Sequence, residues 1–373
     1  MEIFLSAGEA SGDLHGANLA RALRNLAPQV KLSCLGGPLM KAAGVGVVVD
    51  NRKISVVGVS EVLAQSKAIY TAWVKMRSYL LAARPSVVVL IDFPDFNFLL
   101  GNFAKKIGAK VFFYISPQLW GWRRWRVKKI GRLMDGMAVI LPFEKDFYAS
   151  YGIDVDYVGH PLSDSLGNVE DKASCDLVYH GFDGPLVGLL PGSRRKEIAQ
   201  FFTLLMEAGQ IILKALPRAR FIMPVAPSMD ARELEQRAAY WSIPLQVVRD
   251  DTYRALRACD LILTKTGTVT LEAALLETPM VAFYKVSRLT RMIVEPLITV
   301  DFIALPNLIA GREIVPEFVR KEPSGPVLAE AALRLLKSPL LLEAQRAELR
   351  RIRDRLDCSG ISERVARLVL DRI

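Results

Sequence analysis

The stretch VVVLIDFPDFN, Val87–Asn97, holds a strand and the start of a helix with almost nothing between them. The run Val87–Ile91 is too short for a helix, and its lack of polar alternation suits a strand buried on both faces. Asp92 ends that strand, and a helix is expected over 96–107 with Asp95 as its N-cap. A short apolar strand followed at once by a helix is the unit from which parallel sheets are built.

The same alternation extends both ways. Upstream, strands are expected at 3–6 and 47–50, a helix at 12–26 capped by Ser11, and a long helix at 59–81. Downstream, strands are expected at 111–115 and 137–141. After a polar segment, 163–184, the pattern restarts with strands at 186–190, 221–224, 245–248, 261–264 and 280–283. Beyond Pro323 the chain reads as helical, and its arginine-rich final helix (Arg350, Arg351, Arg353, Arg355) is expected to pack back across the domains. The fold class is therefore α/β, with two Rossmann-like domains in tandem and a ligand cleft between them. The expected boundaries are 1–165 joined by about 345–373 for the first domain, and 166–344 for the second.

With 51% apolar and 24% charged residues, the 373-residue chain is neither disordered, collagen-like nor a disulfide scaffold. Cys34, Cys175, Cys259 and Cys358 are scattered and form no CxxC pair, which disfavours structural zinc and suits a reducing compartment. The opening MEIFLSAGEASGD lacks the basic head and apolar run of a signal peptide, and no uninterrupted apolar stretch reaches the ~20 residues of a membrane span. The net charge of +10 favours an anionic partner: nucleic acid, anionic membrane or phosphorylated substrate.

Three blocks of the first half carry candidate chemistry. SAGEASGD (6–13) joins a strand to a helix, but its Gly8 and Gly12 do not give GxGxxG spacing, and dinucleotide binding is disfavoured. In IDFPDFN, Asp92 at a strand's carboxyl end is the candidate general base, with Asp95 architectural. Glu9 and His15 remain alternatives for the proton. YISPQLWGWRRWRVKKIGR (114–132) interleaves Trp120, Trp122 and Trp125 with Arg123 and other cations, which suits stacked nucleic acid or an anionic lipid interface. The long helix adds a face of Val59, Val62, Leu63, Ile69, Tyr70, Trp73 and Val74 beside Lys67, Lys75 and Arg77. This face suits either sheet packing or docking on a membrane surface.

The second half carries anion-binding turns. LLPGSRRKEI (189–198) places Arg194 and Lys196 at a helix start, where cations are disfavoured unless an anion sits between them. TKTGTVTLEAAL (264–275) runs from strand through turn to helix, so amides near Thr266, Gly267 and Thr268 can hold a pyrophosphate and Glu272 can accept from ribose hydroxyls. VGHPLSD (158–164) holds a lone His160, more often structural, and no DxD-like pair stands out as a metal anchor.

SAGEASGD, IDFPDFN, YISPQLWGWR, LPFE (141–144), VGHPL, LLPGSR, TGTVTLE and LPNLIAGREIVPE (305–317) follow one another as they do in lipid-A-disaccharide synthases, which this chain resembles from residue 6 to about residue 317. The resemblance implies a metal- and cofactor-independent, inverting GT-B glycosyltransferase. It implies transfer from UDP-2,3-diacylglucosamine to 2,3-diacylglucosamine 1-phosphate (lipid X), giving a β-1,6 disaccharide and UDP. It further implies a Gram-negative bacterium and a peripheral place on the cytoplasmic face of the inner membrane, with no nucleic-acid partner; homo-oligomerisation stays open. The expected UDP pocket is Arg194, Thr266, Gly267, Thr268, Glu272 and Asn307, with Ser11, Gly12 and Asp95 at the acceptor turn. Ile69, Tyr70, Trp73, Trp120, Trp122 and Arg123 are the expected lipid contacts. The family often has Ser where Thr266 stands, a hydroxyl-for-hydroxyl change. Another UDP-sugar enzyme of the same build, such as a polyprenyl-linked transferase or an epimerase, would lack the IDFPDFN and SPQLWGWR blocks. A non-enzymatic basic protein would not need two phosphate-type turns beside a strand-end Asp.

Overall fold

A computed structural model describes residues 1–53, 66–167, 169–226, 229–285, 298–319, 322–356 and 359–372. The chain divides into two compact units, one formed by Met1–Asp164 with Cys358–Ile373, the other by Ser165–Asp357.

The first unit is built on a seven-stranded sheet, β1 Glu2–Ala7, β2 Lys31–Gly36, β3 Gly46–Asp50, β4 Val87–Ile91, β5 Lys110–Tyr114, β6 Gly136–Val139 and β7 Asp156–Tyr157. Its spatial order is β3-β2-β1-β4-β5-β6-β7, every pairing parallel. All of β4 is buried, as its unbroken apolar run requires. The order reverses between β1 and β4, and Ala7 lies in register with Ile91. The loops after these two strands, which start at Gly8 and Asp92, therefore leave the sheet side by side, where open α/β sheets bind ligands. The sheet's two faces are covered by separate apolar clusters, and the helix Ile361–Leu370 completes one of them with Ile361, Val365, Ala366 and Val369.

The second unit repeats the plan with β8 Leu186–Leu190, β9 Arg220–Pro224, β10 Leu245–Val248, β11 Leu261–Lys265, β12 Met280–Phe283 and β13 Glu317–Phe318. The order is β10-β9-β8-β11-β12-β13, again parallel, with the reversal between β8 and β11. Thr264 pairs with Leu190, so the PGSR and TGT turns leave the sheet as neighbours. The helix Arg195–Ala215 is long and apolar enough by length and composition to cross a membrane. Its Ile198, Phe201, Phe202, Leu205, Met206 and Ile212 instead build this unit's core, packed with Leu328 and Ala332 of the helix Gly325–Leu336.

Several expected boundaries shift. The arginine-rich helix Pro339–Leu356 belongs to the second unit, so residues 345–357 do not join the first. Gln345 accepts from Met280 N–H at 2.7 Å and donates to Ile314 C=O at 3.3 Å, while Arg350 and Arg353 both pair with Glu277. The polar segment 163–184 contains a helix, Lys172–Tyr179, N-capped by Asp171. The first helix is Ala10–Leu26; Glu9 is its N-cap residue, and Ser11 lies exposed in its first turn rather than capping it. The helix after β4 is Pro94–Lys106 with Phe93 at the N-cap, so Asp95 is not the cap. Pro94 fits the first helical position, where its missing N–H costs nothing, and this starts the helix ahead of Asp95. The described part of the long helix is Ser66–Ala83; Val59, Val62 and Leu63 lie outside the described residues.

Candidate active site

In the first unit, Asp92 and Phe93 both have φ of +47°, a left-handed conformation that costs non-glycine residues energy. Asn97, fully buried one helical turn on, braces this bend. Its amide donates to Asp92 C=O at 2.6 Å and Ile91 C=O at 3.3 Å, while its oxygen accepts from Ser6 Oγ at 2.6 Å. A Cβ on Gly8 would overlap the Phe93 ring, so the two turns interlock only with glycine there. Gly12 permits close approach in the same way, since a Cβ would sit 3.2 Å from Ala7 Cβ. Asp13 accepts from the N–H groups of Gly37, Leu39 and Met40 at 2.7–3.1 Å, tying the helix Pro38–Ala42 to the first turn.

This packing presents Asp92 beside Glu9. Burial, with the negative charge of Glu9 adding to it, raises the Asp92 carboxyl to about 6. It is then mostly ionised at neutral pH and yet a stronger base than an ordinary aspartate. His15 lies edge-on to the Tyr114 ring, 6.4 Å between centroids, and burial lowers its pKa to about 4. As a proton acceptor it is weaker than Asp92. His160 is buried too, lowered to about 3 first by burial and then by His15, and its Nδ1 accepts from Leu162 N–H at 3.3 Å.

The aromatic-basic block divides between core and surface. Trp120 is buried and donates its indole N–H to Glu144 at 3.1 Å, so it is a core residue and not a lipid contact. Glu144, itself buried, also accepts from Ser116 Oγ and the N–H groups of Ile140 and Leu141 at 2.9–3.1 Å. Ile69 and Trp73 likewise turn inward. Trp73 packs edge-on against Phe96 and Phe103, because that face of the helix covers the sheet. Tyr70 (68% exposed), Val74 and Trp125 (67% exposed) face outward. Arg123 and Arg126 pair with Asp95 at 3.1 and 2.5 Å; burial would raise that carboxyl, but the two guanidinium groups outweigh it and hold it below the usual range. The side chain of Trp122 lies outside the described residues.

The second unit has a cleft of about 650 Å³ at its own reversal point. Arg194, Gly267, Thr268 and Glu272 line it, joined by Glu197, Tyr253 and Lys265, which sequence reading does not single out. No side chain caps the helix Thr268–Leu275; Thr270 N–H donates to Gly267 C=O at 3.0 Å, while Thr268 and Val269, whose N–H groups precede the first intrahelical acceptor, form part of the cleft wall. Lys265 pairs with Glu197 at 3.1 Å, and Arg194 approaches the same carboxylate at 3.4 Å. Burial lifts the Glu272 carboxyl to about 7, against the hydrogen bond from Tyr253.

Two expected pocket residues are placed elsewhere. Asn307 does not line the cleft. It is fully buried, its oxygen accepting from Ile314 and Val315 N–H and its amide donating to Val315 C=O and Glu317, at 2.8–3.0 Å. Every hydrogen-bonding position of that amide is engaged within the protein. Thr266 is buried, and its N–H is used in a 2.8 Å bond to Phe283 C=O, so that amide cannot hold phosphate. Lys196 is exposed and not among the lining residues. Among the described residues, no cluster of three His, Cys, Asp or Glu side chains is arranged to hold a metal.

Two parallel α/β sheets, each with a turn pair at its reversal point, are the arrangement of the GT-B fold class. The fold is similar to that of S. aureus MnaA in a UDP co-structure (TM-score 0.67, 16% identity, covering 100% of this chain and 97% of that one). It is also similar to the calicheamicin glycosyltransferase CalG4 (TM-score 0.61, 15% identity, covering 100% and 98%). The lipid-A-disaccharide synthetase family model matches residues 3–365. Lipid-A-disaccharide synthase of Geobacter metallireducens is 43% identical over 373 residues, covering 100% of this chain and 97% of the relative. The chain belongs to the lipid-A-disaccharide synthase family and is a glycosyltransferase of lipid A biosynthesis.

Proposed function

We propose that the chain transfers the sugar of UDP-2,3-diacylglucosamine to the 6-hydroxyl of 2,3-diacylglucosamine 1-phosphate, with inversion, giving the β-1,6 disaccharide and UDP. Asp92 takes the hydroxyl proton as the oxygen attacks the anomeric carbon. The anomeric C–O bond breaks, and its electron pair leaves on the UDP phosphate. Arg194 and the N–H groups at Thr268 stabilise that developing charge, and Glu272 accepts from the ribose. The observation that carries this reading is the contrast between two equivalent turn pairs: the raised carboxyl of Asp92 beside Glu9 in one unit, and in the other the cations Arg194 and Lys265 at the wall of a cleft that also meets the start of the uncapped helix Thr268–Leu275. The test is UDP release by the purified chain. Release should require both acylated substrates, and release without acceptor, or epimerisation of the donor, counts against transfer.

Acylated substrates further support work as a peripheral protein at the cytoplasmic face of the inner membrane. Tyr70, Val74 and Trp125 are exposed apolar anchors, and exposed Lys75, Arg124, Lys128 and Lys129 would meet anionic headgroups at about 1 kcal/mol each. Replacing Tyr70, Val74 and Trp125 by Ser should release the protein from anionic vesicles without lowering its Tm. Undiminished vesicle binding contradicts this placement.

A further inference from the structure

Lys265 ends β11, and Glu197 stands in the first turn of the helix Arg195–Ala215, on the wall of the same cleft. The carboxylate is fixed from behind. Ser193 N–H donates to its Oε2 at 3.1 Å, and Gly192, with φ of +116°, leaves space that a Cβ would take from it. Its Oε1 faces the Lys265 ammonium at 3.1 Å and the Arg194 guanidinium at 3.4 Å. Lys265 also lies over the Tyr284 ring, 5.4 Å from its centroid. The Lys265 and Glu197 side chains are only 17% and 12% exposed, so the pair is largely withdrawn from solvent. The Ser193 bond holds Glu197 in place without help from Lys265, and no side chain caps this helix. A largely buried lysine in an anion cleft, resting on a carboxylate, is placed where a phosphate would compete for it.

We infer that Lys265 is a ligand of the donor's diphosphate, and that Glu197 is its resting counter-ion, which favours donor over product. The inference rests on the reading of this cleft as the nucleotide-diphosphate site. When the diphosphate enters, the flexible ammonium moves to it, while Glu197 stays fixed by Ser193 as a negative charge at the cleft edge. The donor's diphosphate is esterified at both ends. Cleavage of the sugar bond leaves its electron pair on the terminal phosphate, so UDP carries one more negative charge than the diphosphate it came from. The fixed carboxylate therefore repels product more than donor.

The test compares UDP and uridine binding by calorimetry, and UDP inhibition with donor KM, in the full chain and its variants. Lys265→Met should weaken UDP about tenfold and leave uridine unchanged, while Glu197→Gln should tighten UDP by about threefold or more without tightening the donor equally. UDP bound by Lys265→Met as by the wild type, or no more tightly by Glu197→Gln, overturns the inference. If Lys265→Met loses its cooperative thermal transition, the Lys265→Gln/Glu197→Gln double variant decides instead. Its preference for UDP over uridine should fall about tenfold, and a preserved preference overturns the inference. The nucleotide reading fails separately. It falls if the wild type does not prefer UDP over uridine. If Arg194→Ala loses the preference while Lys265→Met keeps it, that reading stands and only the role of Lys265 is lost.

Discussion

The turns after β4 and β11 occupy equivalent places in two sheets of the same order, yet they differ in the groups they present and in construction. After β4 the backbone is strained at Asp92 and Phe93, braced by a buried amide, and presents carboxylates. After β11 the turn is glycine-based and opens onto uncapped helical N–H groups beside cations. The shared topology supplies a place where two loops diverge, and the residues in those loops determine which groups that place presents.

The largest expected effect tests the carboxylate side. Asp92→Asn should lower turnover by roughly 10²–10⁴-fold while UDP binding is kept. Because Asp92's folded pKa of about 6 lies above its unfolded value, the stability tied to its proton is full below the unfolded pKa and lost as pH rises through about 6. The Asn variant should therefore melt higher than wild type at pH 8, by an amount equivalent to roughly 2–3 kcal/mol, and the gap should close toward pH 4. Turnover that stays near wild type removes Asp92 from the chemistry. The wild-type rate should itself fall as pH drops below about 6, where the carboxylate takes up its proton.

On the cationic side, Arg194→Ala should weaken UDP about tenfold in low salt, and the loss should shrink in high salt, where screening has already weakened the wild type. A salt-independent loss would assign Arg194 a packing role instead. The smallest effect concerns Glu272. UDP binding should strengthen severalfold as pH rises through about 7, the value of its buried carboxyl, and Glu272→Gln should flatten that dependence. A dependence that survives the substitution belongs to another group.

Most strands and both turn pairs are legible because short apolar runs such as Val87–Ile91 and Leu186–Leu190 admit few alternatives; the strand order is not, and neither are β2, β7 and β13, the last two of which are only two residues long. Asp92, Arg194 and Glu272 are legible from their places at strand and helix ends. What is not legible is which way a side chain faces. Trp73 and Tyr70 are three positions apart on one helix, and only packing against Phe96 and Phe103 shows that one is core and the other surface. Asn307 looks like a ligand residue until its bonds to Ile314, Val315 and Glu317 engage it fully. Lys265, Tyr253 and Asn97 are missed for the opposite reason: their partners Glu197, Glu272 and Ser6 are distant in sequence.

The helix Ile361–Leu370 gives the molecule an order of assembly. Ribosomal synthesis delivers the residues of the first sheet early, but the side chains that close one of its faces, Ile361, Val365, Ala366 and Val369, emerge after the whole second unit. The unit begun first is finished last, and until then the apolar surface over Ile3, Leu5 and Val89 waits for its cover. A nascent chain halted anywhere between the two units exposes that face to chaperones and proteases, so the first sheet keeps an open apolar side until the second unit has been made.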